Sequence, residues 1–236
     1  MVAKIDMHVH TVYSGHAFIK PEKLIKKAVK RGLAGVAVVD HDTFRGAEVT
    51  DRILRRLVKH PPNWFRDAVD YFFIIKGVEF KTDRGEIIGY FLNEDIPVRG
   101  LYEVVDRIKG QGGLVCVPHP FDRLRKASLT RVKPEDVAEL LEVFNARTVY
   151  REDNEKASDY AERTGLYKTA GSDAHLYSEI GNGYVEFPGM SEYELKMAVG
   201  DPRKFLKILG NGKIRGRRSS LLVHAVTKTV KILGKK

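Results

Sequence analysis

Cysteine is nearly absent from this 236-residue chain, which carries only Cys116. One thiol cannot close an internal disulfide, and its surroundings, Gly113-Leu-Val-Cys-Val117, read as a buried apolar run rather than a nucleophile's setting. No apolar run is long enough to span a bilayer. The chain enters Val2-Ala-Lys-Ile-Asp6 without an apolar signal region, so the expectation is a cytoplasmic protein. Glutamine is limited to Gln111 while 31% of residues are charged, a compositional lean towards a thermophilic source. Acidic residues are missing from Arg203 to the end, a stretch with eleven Lys/Arg. The remaining 30 basic residues face 31 acidic ones, so the tail carries the net charge of +10 and the body is neutral. A basic total of this kind does not imply a basic active-site face.

What is present suits one large α/β domain or two small ones, with 43% hydrophobic residues to fill a core. Ile5, Met7 and Val9 alternate with Asp6, His8 and His10, the period of a strand, which sets the two imidazoles about 7 Å apart on one face. Gly35-Val-Ala-Val-Val39 is a continuous apolar run, the mark of a strand buried on both faces. Further strands are expected at Tyr71–Phe80, Glu86–Leu92, Gly113–Val117, Leu140–Phe144 and Tyr167–Ala170, the third and fourth strands joined as a hairpin through Lys81–Gly85. Helices are expected after Pro21, over Phe44–Lys59, over Leu101–Lys109 and over Glu152–Arg163, with a short extra helix at Asn63–Asp70. This alternation predicts a parallel α/β barrel over residues 1–209. Residues 210–236 form a basic tail, with a loop from Gly210 to Gly216. An amphipathic helix follows from Ser219 to Leu233, whose Leu222/Val226/Val230 face packs on the barrel or on a second subunit. Its lysines also suit nucleic acid or a membrane surface.

His8/His10, His41, Glu79, His119 and Asp173/His175 each stand at or just past the C-terminal end of an expected strand. In a barrel those ends converge on one face. Histidine and carboxylate are what divalent transition metals bind, and so many converging ligands exceed the needs of one tetrahedral ion. His60 and His224 lack such placement and read as surface or packing residues.

His8-Val-His10, Asp40-His41-Asp42, Gly77-Val-Glu79, Pro118-His119-Pro120 and Ser172-Asp173-Ala-His175 resemble, in order and spacing, the motifs of the PHP (polymerase and histidinol phosphatase) superfamily. The resemblance implies a distorted seven-stranded (β/α)7 TIM-like barrel with a trinuclear metal centre at its rim. By motif position His8, His10, Glu79 and Asp173 would hold one ion. Glu79 would bridge to a second that His119 serves, and His16, His41 and His175 would hold the third. Two positions depart from the commonest pattern. Ser14-Gly15-His16 stands where many members have Ser-Asp-Gly, and Gly85-Glu86 where many have Gly-His. Glu86 either ligates, shifting preference towards harder ions such as Mn²⁺, or faces solvent.

Two or three divalent ions (Zn, Mn or Fe) in such a centre suit phosphoester hydrolysis by metal-activated hydroxide. Asp173 or His175 would protonate the leaving oxygen, Asp173 being the better placed as a ligand. Arg123 and Arg147 follow expected strand ends and are candidates to bind phosphate. The resemblance is strongest to stand-alone phosphoesterases acting on a phosphorylated small molecule or nucleotide. A nuclease on DNA or RNA ends, gripping the backbone with the basic tail, is the alternative. A non-catalytic RNA-binding subunit like the ribonuclease P protein is disfavoured because the metal residues are retained.

Overall fold

The computed structural model of the protein describes residues 2–125, 128–129, 131–220, 223 and 227. Its strands are β1 (Val2–Val9), β2 (Gly35–Val38), β3 (Phe73–Thr82), β4 (Gly85–Tyr90), β5 (Leu114–Val117), β6 (Leu140–Asn145), β7 (Tyr167–Gly171), β8 (Gly183–Pro188) and β9 (Lys213–Gly216). They form one sheet in the order β7-β6-β5-β4-β3-β2-β1-β8-β9. Pairing is parallel within β1–β2–β3 and β5–β6–β7, and antiparallel where β4 sits between β3 and β5. The helices are α1 (Pro21–Lys30), α2 (Arg45–Lys59), α3 (Leu101–Gly110), α4 (Arg151–Thr164), α5 (Glu192–Val199) and α6 (Pro202–Leu209). Asn63–Ala68 is the short extra turn, as a 3₁₀ helix. No helix among the described residues is long and apolar enough to cross a membrane.

The sheet is nearly closed. At the open seam Val9 bridges Ala174, His10 N donates to Ala174 O at 3.0 Å, and Asp6 Oδ1 accepts from Ser172 N at 2.9 Å. Gly171 makes this approach feasible, since a Cβ there would lie 2.2 Å from His8 Cβ.

The barrel class is as expected, but among the described residues the sheet has nine strands rather than seven, because β8 and β9 extend it antiparallel beyond β1. β8 carries a period-two signal, with Val185 and Phe187 buried and Tyr184, Glu186 and Pro188 partly or fully exposed. β9 reads Lys-Ile-Arg-Gly and was expected to be loop; four residues with one partly buried side chain are too few to show a period.

Two apolar layers result. Ile5, Met7, Ala37, Ile75, Cys116, Leu140 and Val185 pack together inside the barrel, and Leu195 and Phe205 from α5 and α6 join them. Val36, Val38, Val115 and Leu141 face instead the helices, against Leu24 and Ile25 of α1, Leu54 of α2 and Ile108 of α3. Neighbouring residues of β2 thus enter opposite layers, as a strand buried on both faces requires. β1 departs from simple alternation. Asp6 to Val9 oppose only Val36 to Val38, a bulge, and Val9 joins the helix-side layer while Ile5 and Met7 stay inside. Bulges beside active sites re-aim side chains in this way, and here His8 and His10 turn into the barrel mouth.

The helix expected over Ser219–Leu233, and His224 with it, lies outside the described residues except at four positions. Ser219 N donates to Ala146 O at 2.7 Å. Val223 N donates to Ser220 O at 3.1 Å. Val223 and Thr227 are helical, and Thr227 is buried.

Candidate metal centre

Hydrogen bonds assign the proton on four of the imidazoles, those of His8, His10, His16 and His175. His8 Nδ1 lies 3.0 Å from Glu142 Oε1, so its proton sits on Nδ1 and Nε2 keeps a lone pair. His10 Nδ1 lies 3.1 Å from Ser14 Oγ, and the Ser14 hydroxyl donates to Asp40 Oδ1 at 2.5 Å, so Ser14 accepts from His10. His10 Nε2 therefore also carries a lone pair. The two Nε2 atoms face each other at 3.0 Å. Asp173 Oδ1 stands 3.2 Å from His10 Nε2 and 3.7 Å from His8 Nε2, and Glu79 Oε2 stands 3.3 and 3.4 Å from the same atoms. All four side chains are fully buried, and neither carboxylate oxygen has a hydrogen bond among the described residues. Lone pairs this close in a buried site require positive charge at their middle, an added proton or a metal ion.

The same arrangement recurs beside it. His16 Nδ1 lies 3.0 Å from Ser14 O and His175 Nδ1 lies 2.8 Å from Asp173 O, leaving two Nε2 lone pairs that meet at 3.0 Å. His41 Nδ1 is 3.0 Å from Glu79 Oε2. His119 Nε2 is 3.1 Å from Glu79 Oε1 and 3.8 Å from Glu86 Oε2. Donor atoms from His8, His10 and Asp173, from His10, His41 and His175, and from His41, Glu79 and Glu86 cluster within 4.8 Å in each set. All nine sequence-nominated ligands therefore converge, Glu86 included. His41 differs from the expected partition, leaning towards Glu79 and Glu86 as well as towards His175.

The backbone is bent to do this. Asp42, His119 and Asp173 have φ of 53°, 31° and 51°, a region non-glycine residues seldom occupy and one that gathers at functional sites. Behind the ligands, Asp40 accepts from Thr11 N and Thr11 Oγ1, both at 2.6 Å. Glu142, on β6, also accepts from His119 N at 2.9 Å and Asn145 Nδ2 at 3.0 Å. Neither role was read from the sequence; Asp40 stood inside a quoted motif, and Glu142 gave no signal beyond a carboxylate within an apolar strand.

Burial works against every charge here, and the cluster's own fields decide the outcome. Burial would lower the pKa of His8, but the charges of Glu142, Glu79 and Asp173 raise it well above the ordinary value. Burial would raise Asp173, yet Arg125 and His8 hold it well below the carboxylate range. Glu79 is likewise held low, by His41 and His8. Glu86 is raised by burial and by Glu79. His175 is driven well below the imidazole range by burial and by His10.

The arginines differ from expectation. Arg123 grips Asp153, with Nη2 2.6 Å from Oδ1, and stacks over Tyr150 at 4.5 Å. Arg147 is buried, its Nη2 donating to Thr227 Oγ1 at 2.6 Å while Nε stands 3.6 Å from Glu179 Oε1. The guanidinium that reaches the centre is Arg125, paired with Asp173 Oδ2 and, at 3.3 Å, with Asp122 Oδ2.

Comparison with known proteins follows the same lines. The PHP domain family matches residues 6–162 and the PHP-associated family residues 151–213. An uncharacterized protein of Methanocaldococcus jannaschii is 35% identical over 217 residues, covering 87% of this chain and 78% of its own length. A probable phosphatase of Caldicellulosiruptor saccharolyticus is 24% identical, covering 82% of this chain and 89% of its own. Among solved structures, a two-domain protein from Bacteroides vulgatus, described as containing a predicted PHP-like metal-dependent phosphoesterase, superposes with a TM-score of 0.68 at 16% identity. That match covers 92% of this chain but 65% of the larger one, so the chain spans less than two thirds of it. A lesion-specific endonuclease from Pyrococcus furiosus shares the fold at a TM-score of 0.50 and 16% identity, covering 99% of this chain and 72% of the other. With its motifs gathered at one barrel mouth and the family match running through most of its length, the chain belongs to the PHP domain family.

Proposed function

We propose that this protein is a metal-dependent phosphoesterase that hydrolyses the phosphate ester of a small metabolite or nucleotide. The observation that carries the reading is the convergence of the His8 and His10 Nε2 lone pairs on Glu79 Oε2 and Asp173 Oδ1 in a fully buried setting. This donor set fits divalent ions. Neutral imidazoles with fixed tautomers and ionised carboxylates are ligand forms, and Glu79 Oε2 and Asp173 Oδ1 have no hydrogen bond among the described residues. His8, His10, Glu79 and Asp173 would hold one ion, His16, His41 and His175 another, and His119 with Glu79 and Glu86 would complete the set, an imidazole-rich mixture suited to Zn²⁺, Mn²⁺ or Fe²⁺. Bound ions supply Lewis acidity at the phosphoryl oxygens and a nucleophilic water at neutral pH.

The chain's own residues do the rest. Glu142 and Ser14 keep the His8 and His10 protons on Nδ1 and point Nε2 inward. Asp173, held ionised by Arg125 and His8, has no proton to give, which supports its role as a ligand over that of general acid. His175 has its Nδ1 proton fixed on Asp173 O, so its Nε2 acts as acceptor or ligand. Arg125, about a quarter exposed at the rim, is the cation placed to neutralise the substrate phosphate, the role considered for Arg123 and Arg147.

The test is elemental analysis of the purified protein, with hydrolysis of p-nitrophenyl phosphate and bis-p-nitrophenyl phosphate under added Zn²⁺, Mn²⁺ or Fe²⁺. His8→Ala and Asp173→Ala should each lower turnover about a hundredfold or more with loss of bound metal. A protein that neither binds these ions nor hydrolyses either ester would overturn the proposal.

A further inference from the structure

The basic excess of the tail begins on the barrel itself. β9 sets Lys213 and Arg215 along β8, and Arg217 follows, with its N donating to Asn182 O at 2.7 Å and its Nε to Asn182 Oδ1 at 3.0 Å. Lys4 on β1 and Tyr184 on β8 alternate with residues of the inner core, so they face outward. With Arg31 from the end of α1 they line a concavity of about 430 Å³. No carboxylate lines it among the described residues; Glu186 stands 3.1 Å from Arg215 at its edge, and the buried Asp6 behind it is engaged by Gly181 N at 2.9 Å. Arg31 is steadied by one bond, Nη2 to Ser178 O at 3.3 Å. Lys4 Nζ stands 5.5 Å from the Tyr184 ring centroid.

We propose that this groove binds a single-stranded nucleic acid segment, its phosphates on Lys4, Arg31, Arg215 and Arg217 and a base on Tyr184. Guanidinium forks match phosphate oxygens, and four cations spaced round a groove suit a chain of phosphates better than one. An aromatic face among cations is a stacking platform for an unpaired base. A duplex has no unpaired base to stack, and a flat lipid surface does not enter a concavity. The groove is separate from the metal centre. Lys4 precedes His8 by four residues of β1, about 13 Å along a strand. Binding here therefore stands or falls independently of the phosphoesterase reading.

The test is fluorescence anisotropy of labelled oligo-dT and oligo-rU with the full chain at low salt. Wild type should bind either oligomer more tightly than a duplex of equal length, with affinity falling steeply with salt. Arg31→Ala and Tyr184→Leu should each weaken binding about tenfold and Arg31→Ala/Arg215→Ala further still, the double variant also flattening the salt dependence. Melting curves and hydrolysis of the small chromogenic ester should be unchanged, because none of these side chains lies at the metal centre. Lys4→Gln offers a further variant should one of these fail to fold. Absence of binding, equal affinity for duplex, binding untouched by the substitutions, or displacement of the oligomer by anionic phospholipid vesicles would each overturn the proposal.

Discussion

Ser14 shows how much of this centre depends on side chains that bind nothing themselves. Its Oγ accepts from His10 Nδ1, donates to Asp40 and also accepts from His41 N at 3.2 Å. In Ser14→Ala the His10 proton loses its acceptor, while Asp40 keeps both bonds from Thr11, so the loop should hold its shape. Metal affinity should fall about 10- to 100-fold with little change in melting temperature, measured by competition with a chromogenic chelator. Unchanged affinity would show that Ser14 does not orient His10. Seven of the nine ligands were readable because they stand at or just past the end of an expected strand, and His16 and Glu86 by their place in the motif order. Glu142 was not, because its partner His8 is 134 residues away and nothing local marks the pairing. Arg123 was nominated and Arg125 passed over for a local reason. The turn closed by Arg125 N on Asp122 O, at 3.0 Å, sends side chains two positions apart to different partners, Asp153 on α4 and Asp173 at the centre.

Among elements, the seam between β1 and β7 is where fold and site constrain each other most. The seven strands from β1 to β7 were readable from apolar runs and alternation. The bulge in β1 was not, since it comes from register against β2 and not from composition. β9 escaped because pairing with β8, rather than its own apolar content, makes it a strand. Gly171 had no distinguishing mark in the sequence either, yet a Cβ there would lie 2.2 Å from His8 Cβ and 2.8 Å from His8 N. Gly171→Ala must push β7 off β1 and should cost about 1–3 kcal/mol, read by urea denaturation. Because the displaced neighbour is His8, bound metal should fall in the same variant. Wild-type stability together with full metal content would show that the seam has slack.

At the scale of the whole molecule, the buried centre couples folding, protons and metal. Without metal, burial disfavours a charged His8, but Glu142, Glu79 and Asp173 prevail, so its folded pKa lies well above the unfolded one. A group of this kind contributes stability in full below its unfolded pKa and loses it as pH rises through the folded value. The metal-free protein should therefore weaken towards alkaline pH, as the proton that neutralised the carboxylates departs. Metal binding has the opposite slope, because the ion competes with that proton for Nε2 and gains as it leaves. The melting-temperature difference between metal-loaded and chelator-stripped protein should then widen steadily from about pH 6 to about pH 9. Proton release on metal addition, followed with an indicator dye in weak buffer, should be largest at the acid end of that range. A gap that is flat or narrows with pH would mean that the carboxylates around His8 are neutralised by something other than this exchange of proton for metal.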